Sequence, residues 1–599
     1  MVLRFIFALL LTSFLPGLAL TYVIFRKREI GNVEKICFGF GLSLVATIFI
    51  SFFLPYLSFL WVLAFYSAFF LAVVPLAIFR FYYEPKMHSN DEIRGYISDG
   101  QKKFPIDSLK IALRSQGITN NQIEEAIENI PRDKKIFRAA VLVCAIIFAC
   151  FVVYSPHLDY PYPFHFDEWR HLEDIMKSIE EGGLVEKGWG TQTEAGFHMW
   201  LIPLILLTDM NPVLFYQYIP MVFMAFASLI LFSFLKKTTG SFSTGIFGIL
   251  LLASLKSNVN IFGPWMFVPL TMSFPLIYLF FFSFVRGTSL GNEKFFVLAF
   301  VFLLAIFTIY IYSALFAVPI LIIYLIFSYR FVLKRWYVVL PVILLPLAGF
   351  FFTFKFFPQM GILGIIDWLK QGYGIIYPAI WGGLMPRYRI LVFYGLLPCI
   401  LAGAGLIVSI RKYKIFPIWA VIAGIWFYLN MDYFLKNILI PYLRLIFLFL
   451  FSLIPLSAIG LHWAISRINR IKIKPLPAVI SAALLLTVFI TTYYNYYDVP
   501  SNLDLYRFIE PEDVEALRLA EGDVVSTVQM HPMTFKFFNI TQDIKFELNF
   551  TKLDCDGKEQ KIFQYKRQYL LTQEQLDCEF LEPVYAGKIR YLYTISSQG

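Results

Sequence analysis

Residues 2–28 read VLRFIFALLLTSFLPGLALTYVIFRKR, and the way this stretch ends decides the fold. Val2 to Ile24 is long enough to cross a bilayer, which takes roughly 20 apolar residues. A secretory leader would close on small residues at a cleavage site. Here Arg26-Lys27-Arg28 follows almost at once, so the segment reads as a retained first span. With those basic residues on the cytoplasmic side, the N-terminus is outside and successive loops alternate.

Later basic clusters keep the alternation. Spans at about Glu34 to Leu54 and Phe59 to Phe79 return the chain to a segment carrying Lys102, Lys103, Lys110, Arg114, Lys134 and Lys135. A fourth span, Ile136 to Tyr154, then delivers the chain outside. The inward ends of the following hairpins carry Lys236-Lys237, Arg286 with Lys294, Arg330 with Lys334-Arg335, Arg411-Lys412, and Arg467 to Lys474. About fourteen spans are expected. The tail after them is then external, and it carries 17 acidic against 11 basic residues from Asn495 onward.

Composition excludes an ordinary soluble domain: 58% of the 599 residues are hydrophobic and 15% are charged, where about 25% charged is usual. The net charge of +10 is a topology signal. Its basic residues are dispersed among short loops and form no stripe of the kind that binds nucleic acid. The Phe content is explained by packing against lipid and neighbouring helices. Of six cysteines, Cys37, Cys144, Cys150 and Cys399 fall in apolar spans. Cys555 and Cys578 lie in the tail, where they can form one disulfide in an oxidising compartment. Asn539-Ile-Thr541 and Asn549-Phe-Thr551 are glycosylation sequons.

The expected fold is a polytopic α-helical membrane protein with a small external α/β domain at its C-terminus. Residues 1–80 form a three-span unit, and residues 81–135 a polar cytoplasmic insert with short helices at Ser108 to Gln116 and Asn121 to Asn129. Residues 136–494 form the membrane body, whose long external loops are 155–212 and 356–388. Residues 495–599 form the tail domain, with a helix opening at Pro511 and strands near Asp523 to Val528 and Lys588 to Ile595. Two long loops on one side point to a site facing that side.

Chemistry concentrates in the first loop. Tyr160-Pro-Tyr-Pro163 forces an extended approach, and His165-Phe-Asp-Glu-Trp-Arg-His171 then opens an amphipathic helix running through Ile179. Asp167 and Glu168 occupy the first turn, where the helix dipole favours carboxylates. An acidic helix start alone would explain them, but two histidines and two carboxylates within seven residues at a membrane edge favour function. Asp167, Glu168 and His171 are spaced to share one face and so to meet a metal. No second ligand set follows in zinc or di-iron spacing, so no metal is required, although a divalent cation can be accommodated. A general base fits better: Asp167, with Glu168 or a histidine orienting it or the substrate. Downstream, Trp189 to His198 is a Gly-rich turn before an apolar helix, offering Glu194 and His198 as substrate contacts. Cations gather on the same side: Lys355, Arg387 with Arg389, and Pro441-Tyr-Leu-Arg444 heading an apolar run near Asp432 and Lys436. Each alone can snorkel to the interface. Together they suit a lipid phosphate, whose oxygens a guanidinium fork matches.

These features resemble the GT-C class of membrane glycosyltransferases. The resemblance rests on Asp167-Glu168 in the first external loop of the body, His198 before the next span, the Arg444-headed late span, and a tail opening as Ile509-Glu-Pro-Glu-Asp-Val-Glu-Ala516. It covers roughly residues 136–520. It implies a polyprenyl-phosphate sugar donor, an acceptor that is a saccharide, lipid or protein, and inverting transfer at the external face with Asp167 as base. His165, His171, His198, Glu194, Lys355, Arg387 and Arg444 would then bind substrate. No Trp-Trp-Asp signature is present, which disfavours transfer of a whole glycan to asparagine. The N-terminal spans and the insert are additions to the usual body, and Phe14 to Leu20 looks like archaeal membrane proteins of unassigned function.

Two rival readings are a transporter or flippase of lipid-linked saccharide, and a lipid-binding scaffold without catalysis. A transporter should place polar sites near the midplane and show paired repeats. This chain puts its polar clusters at one edge.

Overall fold

A computed structural model describes residues 2–26, 29–52, 58–82, 132–158, 160–164, 166–182, 194–255, 264–337, 340, 390–429, 442–470, 479–487, 509–528, 530, 535–547 and 550–595. The insert helices, the loop 356–388, and His165, Lys355, Arg387, Arg389, Asp432 and Lys436 lie outside these residues.

The first span bends at Phe14, ahead of Pro16, into α1 (Val2–Ser13) and α2 (Leu15–Ile24). It is followed by α3 (Asn32–Phe52), α4 (Phe59–Tyr82), α5 (Arg132–Tyr154), α6 (Phe166–Glu181), α7 (Ala195–Thr208), α8 (Ile219–Thr239) and α9 (Phe242–Ala253). The body continues with α10 (Pro269–Leu290), α11 (Glu293–Ile309), α12 (Ile311–Phe327), α13 (Leu396–Lys412), α14 (Ile415–Tyr428), α15 (Tyr442–Ile468) and α16 (479–487). Among the described residues seven helical segments are long and apolar enough to cross a membrane, against the fourteen spans expected. They are Leu3–Ile24, Asn32–Phe52, Phe59–Arg80, Asp133–Leu158, Val213–Thr239, Pro269–Leu290 and Arg444–Ile468. Four further apolar helices, α7, α9, α12 and α14, are shorter.

Helix α10 is the centre of the bundle and is almost wholly buried, whereas α4 and α5 present most of their surface outward. Aromatic rings fill the core: Phe274 of α10 stacks on Phe447 and Phe451 of α15 at 4.4 and 4.0 Å. Where helices come closest, small residues permit it. A Cβ on Gly405 of α13 would stand 1.8 Å from the Leu456 carbonyl oxygen of α15, and one on Gly17 of α2 would stand 1.9 Å from the Gly39 oxygen of α3. Helix α3 is held to the body by a buried ion pair between Glu34 and Arg286, 3.4 Å apart, with Lys237 3.6 Å away.

The tail begins with α17 (Pro511–Leu519), where Pro511 opens the helix and Glu512 and Asp513 occupy its first turn. Among the described residues five strands follow: β1 (Val524–Ser526), β2 (Ile544–Phe546), β3 (Tyr569–Thr572), β4 (Leu581–Ala586) and β5 (Tyr591–Ile595), with α18 (Cys555–Tyr565) between β2 and β3. Their order is β2-β1-β3-β5-β4. Strand β1 pairs in parallel with β2 and β3, and β5 runs antiparallel to β3 and β4. A buried Asp513–Arg590 pair ties α17 to the start of β5, and Cys555 and Cys578 form a disulfide. The other four cysteines are free.

Candidate active site

Helix α6 owes its start to three side chains. Pro163 keeps the approach extended, and its carbonyl accepts a 3.0 Å hydrogen bond from the buried Trp169 indole. Glu168 lies in the first turn and reaches back to accept the Phe164 N–H at 2.9 Å, a variant of the capping box. Its other carboxylate oxygen accepts the Phe267 N–H, 2.8 Å away on the segment leading into α10. With 1% of its surface exposed, Glu168 is a clamp between two backbone segments. It therefore does not share a working face with Asp167 and His171, and the one-face metal triple suggested by spacing does not form. Among the described residues no three ligating side chains converge.

Asp167 points the other way. Its Oδ2 lies 3.5 Å from Nη2 of Arg444, which sits in the first turn of α15; the two side chains are 33% and 16% exposed. Sequence separates these residues by nearly half the chain, and the fold makes them one cation–carboxylate pair at a membrane edge.

One turn along the same face, His171 Nε2 stands 3.6 Å from Glu194 Oε2, and His171 Nδ1 is 3.0 Å from Nε2 of His198. His198 belongs to the first turn of α7 and is fully buried; the sequence placed it ahead of that helix. It can sit so deep because Gly196 lets α7 approach the end of α11. A Cβ there would come within 2.7 Å of the Thr308 hydroxyl and 2.9 Å of its carbonyl carbon. Phe197 packs against the His171 ring, centroids 5.0 Å apart. Two imidazole nitrogens 3.0 Å apart must share one proton, so this contact works with one N–H donating and one lone pair accepting.

Glu194 is the chemically perturbed member. Burial raises its carboxyl, the Asp167 charge raises it further, and Arg444 and Arg170 oppose the rise, leaving it at about 8. Near neutral pH it therefore holds a proton beside Asp167, the kind of divided pair that separates acid and base roles. Asp174, the next residue on the i, i+4, i+7 stripe from Asp167 and His171, is also raised, first by burial. Its Oδ2 is buried and has no hydrogen-bond partner among the described residues. The sequence reading missed Asp174, although its spacing from Asp167 was a usable signal.

The tail contributes to the walls. Tyr160 donates to the Ile509 carbonyl at 2.9 Å, Asn211 donates to the Phe537 carbonyl, and the Trp169 and Phe537 rings lie 5.7 Å apart. Tyr162 meets Phe538 edge-on at 5.1 Å. The start of α6 and the segment before it are thus held between the bundle and Ile509, Phe537 and Phe538 of the tail. The arrangement offers a carboxylate beside a guanidinium, and a carboxyl raised by burial beside a buried imidazole pair. That set can accept a proton, hold an anion and donate a hydrogen bond.

No family model matches the sequence, and no curated protein matches it. Among solved structures the chain is similar to ArnT from Cupriavidus metallidurans bound to undecaprenyl phosphate, at 13% identity and a TM-score of 0.45, over 76% of this chain and 98% of that one. It is also similar to the archaeal oligosaccharyltransferase AglB from Archaeoglobus fulgidus in complex with an inhibitory peptide and a dolichol-phosphate. That likeness has 13% identity and a TM-score of 0.36, over 74% of this chain and 70% of that one. The apo form of the Archaeoglobus fulgidus enzyme gives 12% identity and a TM-score of 0.38 over the same shares. Likeness at this level decides no activity; the side chains must.

Proposed function

We propose that this chain is a membrane glycosyltransferase that moves a sugar from a polyprenyl-phosphate donor to an acceptor hydroxyl, with inversion at the anomeric carbon. The observation that carries the reading is the 3.5 Å pairing of Asp167 with Arg444 at the head of a long apolar helix. Transfer from a lipid phosphate needs a base for the acceptor and a cation for the departing phosphate, both fixed in place beside the lipid.

In this scheme the donor phosphate engages Arg444 and releases Asp167 from it. The acceptor O–H gives its proton to the Asp167 carboxylate while its oxygen forms a bond to the anomeric carbon. The bond from that carbon to the phosphate oxygen breaks, and the electron pair leaves with the lipid phosphate, whose charge Arg444 balances. Glu194, holding its proton, is placed to hydrogen-bond a sugar or phosphate oxygen, with His171 and His198 fixing its position. Glu168 acts through the backbone it clamps. Lys355, Arg387 and His165 remain substrate-binding candidates by the sequence resemblance, and the acceptor is a saccharide, lipid or protein.

The site is assigned to the external face of the cell membrane, with the N-terminus and the tail on that side. The charge alternation, the Cys555–Cys578 disulfide and the exposed Asn539 of the first sequon support this sidedness, since disulfides persist in oxidising compartments.

The test is transfer from a radiolabelled polyprenyl-phosphate sugar by the purified chain in detergent, with Asp167→Asn as the matched variant. The expected result is turnover by the wild type that is lost in the variant. Undiminished transfer by Asp167→Asn would remove the base assignment. Movement of the lipid-linked sugar across vesicles with no transfer would favour the flippase.

A further inference from the structure

A groove lies toward the end of α5 away from Asp167. That helix runs 23 residues from Arg132 to Tyr154, about 34 Å at 1.5 Å per residue, so its start and the Asp167 loop lie at opposite membrane edges. Toward its start, α5, α9 and α16 enclose a groove of about 590 Å³ whose lining includes Val141, Phe242, Ser243, Ile246, Leu250 and Leu485. The walls are otherwise apolar, and they are open to the outside: Leu486, which also lines the groove, is 56% exposed.

Cationic side chains stand beside the groove on the side nearest the start of α5. The Arg138 guanidinium lies over the Phe242 ring, 5.3 Å from its centroid. Lys134, exposed, stands one turn earlier on the face that carries Arg138 and Val141, since residues at i, i+4 and i+7 share a face. Ser243, which lines the groove, has its hydroxyl 3.1 Å from His462 Nδ1, and the Ser241 hydroxyl is 3.5 Å from the same nitrogen. Arg467 ends α15 one turn beyond His462. Asp133 is the one acidic residue in the first turn of α5.

We propose that this groove holds one anionic phospholipid of the surrounding bilayer, its chain against Val141, Ile246 and Leu485 and its phosphate facing Arg138, Lys134 and the Ser243–His462 pair. An apolar slot open to the bilayer fits a hydrocarbon chain, and cations at its mouth select a negative headgroup over a zwitterionic one. The site is separate from Asp167 and Arg444 and does not depend on what they do.

Native mass spectrometry of the full-length chain in detergent, titrated with dioleoylphosphatidylglycerol or dioleoylphosphatidylcholine, tests it. The wild type should retain one phosphatidylglycerol in preference to phosphatidylcholine. Lys134→Gln and Arg138→Gln should each lower that preference about fivefold, and Leu250→Trp, which fills the groove, should abolish retention of both lipids. Asp167→Asn should leave retention unchanged. Equal retention of the two lipids by the wild type, or a preference untouched by the two glutamine variants, would overturn the proposal. Displacement of the lipid by glycerol phosphate would reduce the groove to a simple anion site. A dimer dissolved by Leu250→Trp would assign the groove to a second copy of the chain instead. The glutamine substitutions leave the apolar lining of the groove unchanged, so they report even where Leu250→Trp fails to fold.

Discussion

Replacing Glu168 and Asp167 in turn separates holding from reacting, because these adjacent carboxylates do different things in the fold. Glu168→Ala removes the acceptor of two backbone N–H groups, those of Phe164 and Phe267, at a side chain only 1% exposed. Each buried donor left without a partner costs about 1–3 kcal/mol, so the variant should lose about 2–6 kcal/mol. Glu168→Gln should recover little of this, since its amide offers one acceptor and sets an NH2 against the other donor. Asp167→Asn disturbs a partly exposed pair, worth about 1 kcal/mol or less, yet removes the proposed base, an effect of about 10²–10⁴ in rate. The assay is the half-life of monodisperse protein in detergent at fixed temperature, run beside transfer kinetics. A loss of 2 kcal/mol in the unfolding barrier shortens that half-life about thirtyfold. A Glu168→Ala protein as durable as the wild type would refute the clamp. An Asp167→Asn protein that is short-lived and still turns over normally would reverse the two assignments.

Three further outcomes follow from the same geometry. The Glu194 carboxyl is raised from 4.5 to about 8, so the folded state binds the proton more tightly, and its contribution to stability is lost as pH rises from about 4.5 through about 8; thermal unfolding of Glu194→Gln should match the wild type near pH 4 and occur at higher temperature than the wild type near pH 9. Arg444→Ala should lower kcat/KM for the lipid donor by about 10²–10³, and Arg444→Lys, which keeps the charge but not the fork, should fall between the two in the same steady-state assay. Cys555 and Cys578 close a loop 23 residues apart, so replacing both with serine should destabilise the tail by about 3 kcal/mol, read as earlier protease cleavage within residues 509–595.

Much of the helical layout was legible in the residues. The first four spans expected from apolar length coincide with α1 and α2 together, α3, α4 and α5, because a run of some 20 apolar residues has few other ways to satisfy its backbone in lipid. The amphipathic helix after Pro163 and the helix at Pro511 also stand where capping and dipole chemistry put them. Glu168 shows the limit of such reading. Spacing placed it on a face with Asp167 and His171, but its rotamer and its two backbone partners depend on where Phe267 arrives, 99 residues later. His198 was expected ahead of α7 because the turn before it is rich in glycine. It lies inside the helix because Gly196 is used for packing against Thr308.

Sequence by itself determined that this chain is a bundle of apolar helices with its polar residues concentrated at the edges, since hydrophobic length and charge alternation are local properties that each segment carries alone. Only the tertiary structure decided which polar groups meet. Asp167 faces Arg444 across 277 positions, His171 links Glu194 to His198, and residues of the tail wall the loop that carries them. Those contacts are set by helix packing at glycines and by buried rings, and the Glu194 proton follows from burial and neighbouring charge, which exist only once the chain has folded.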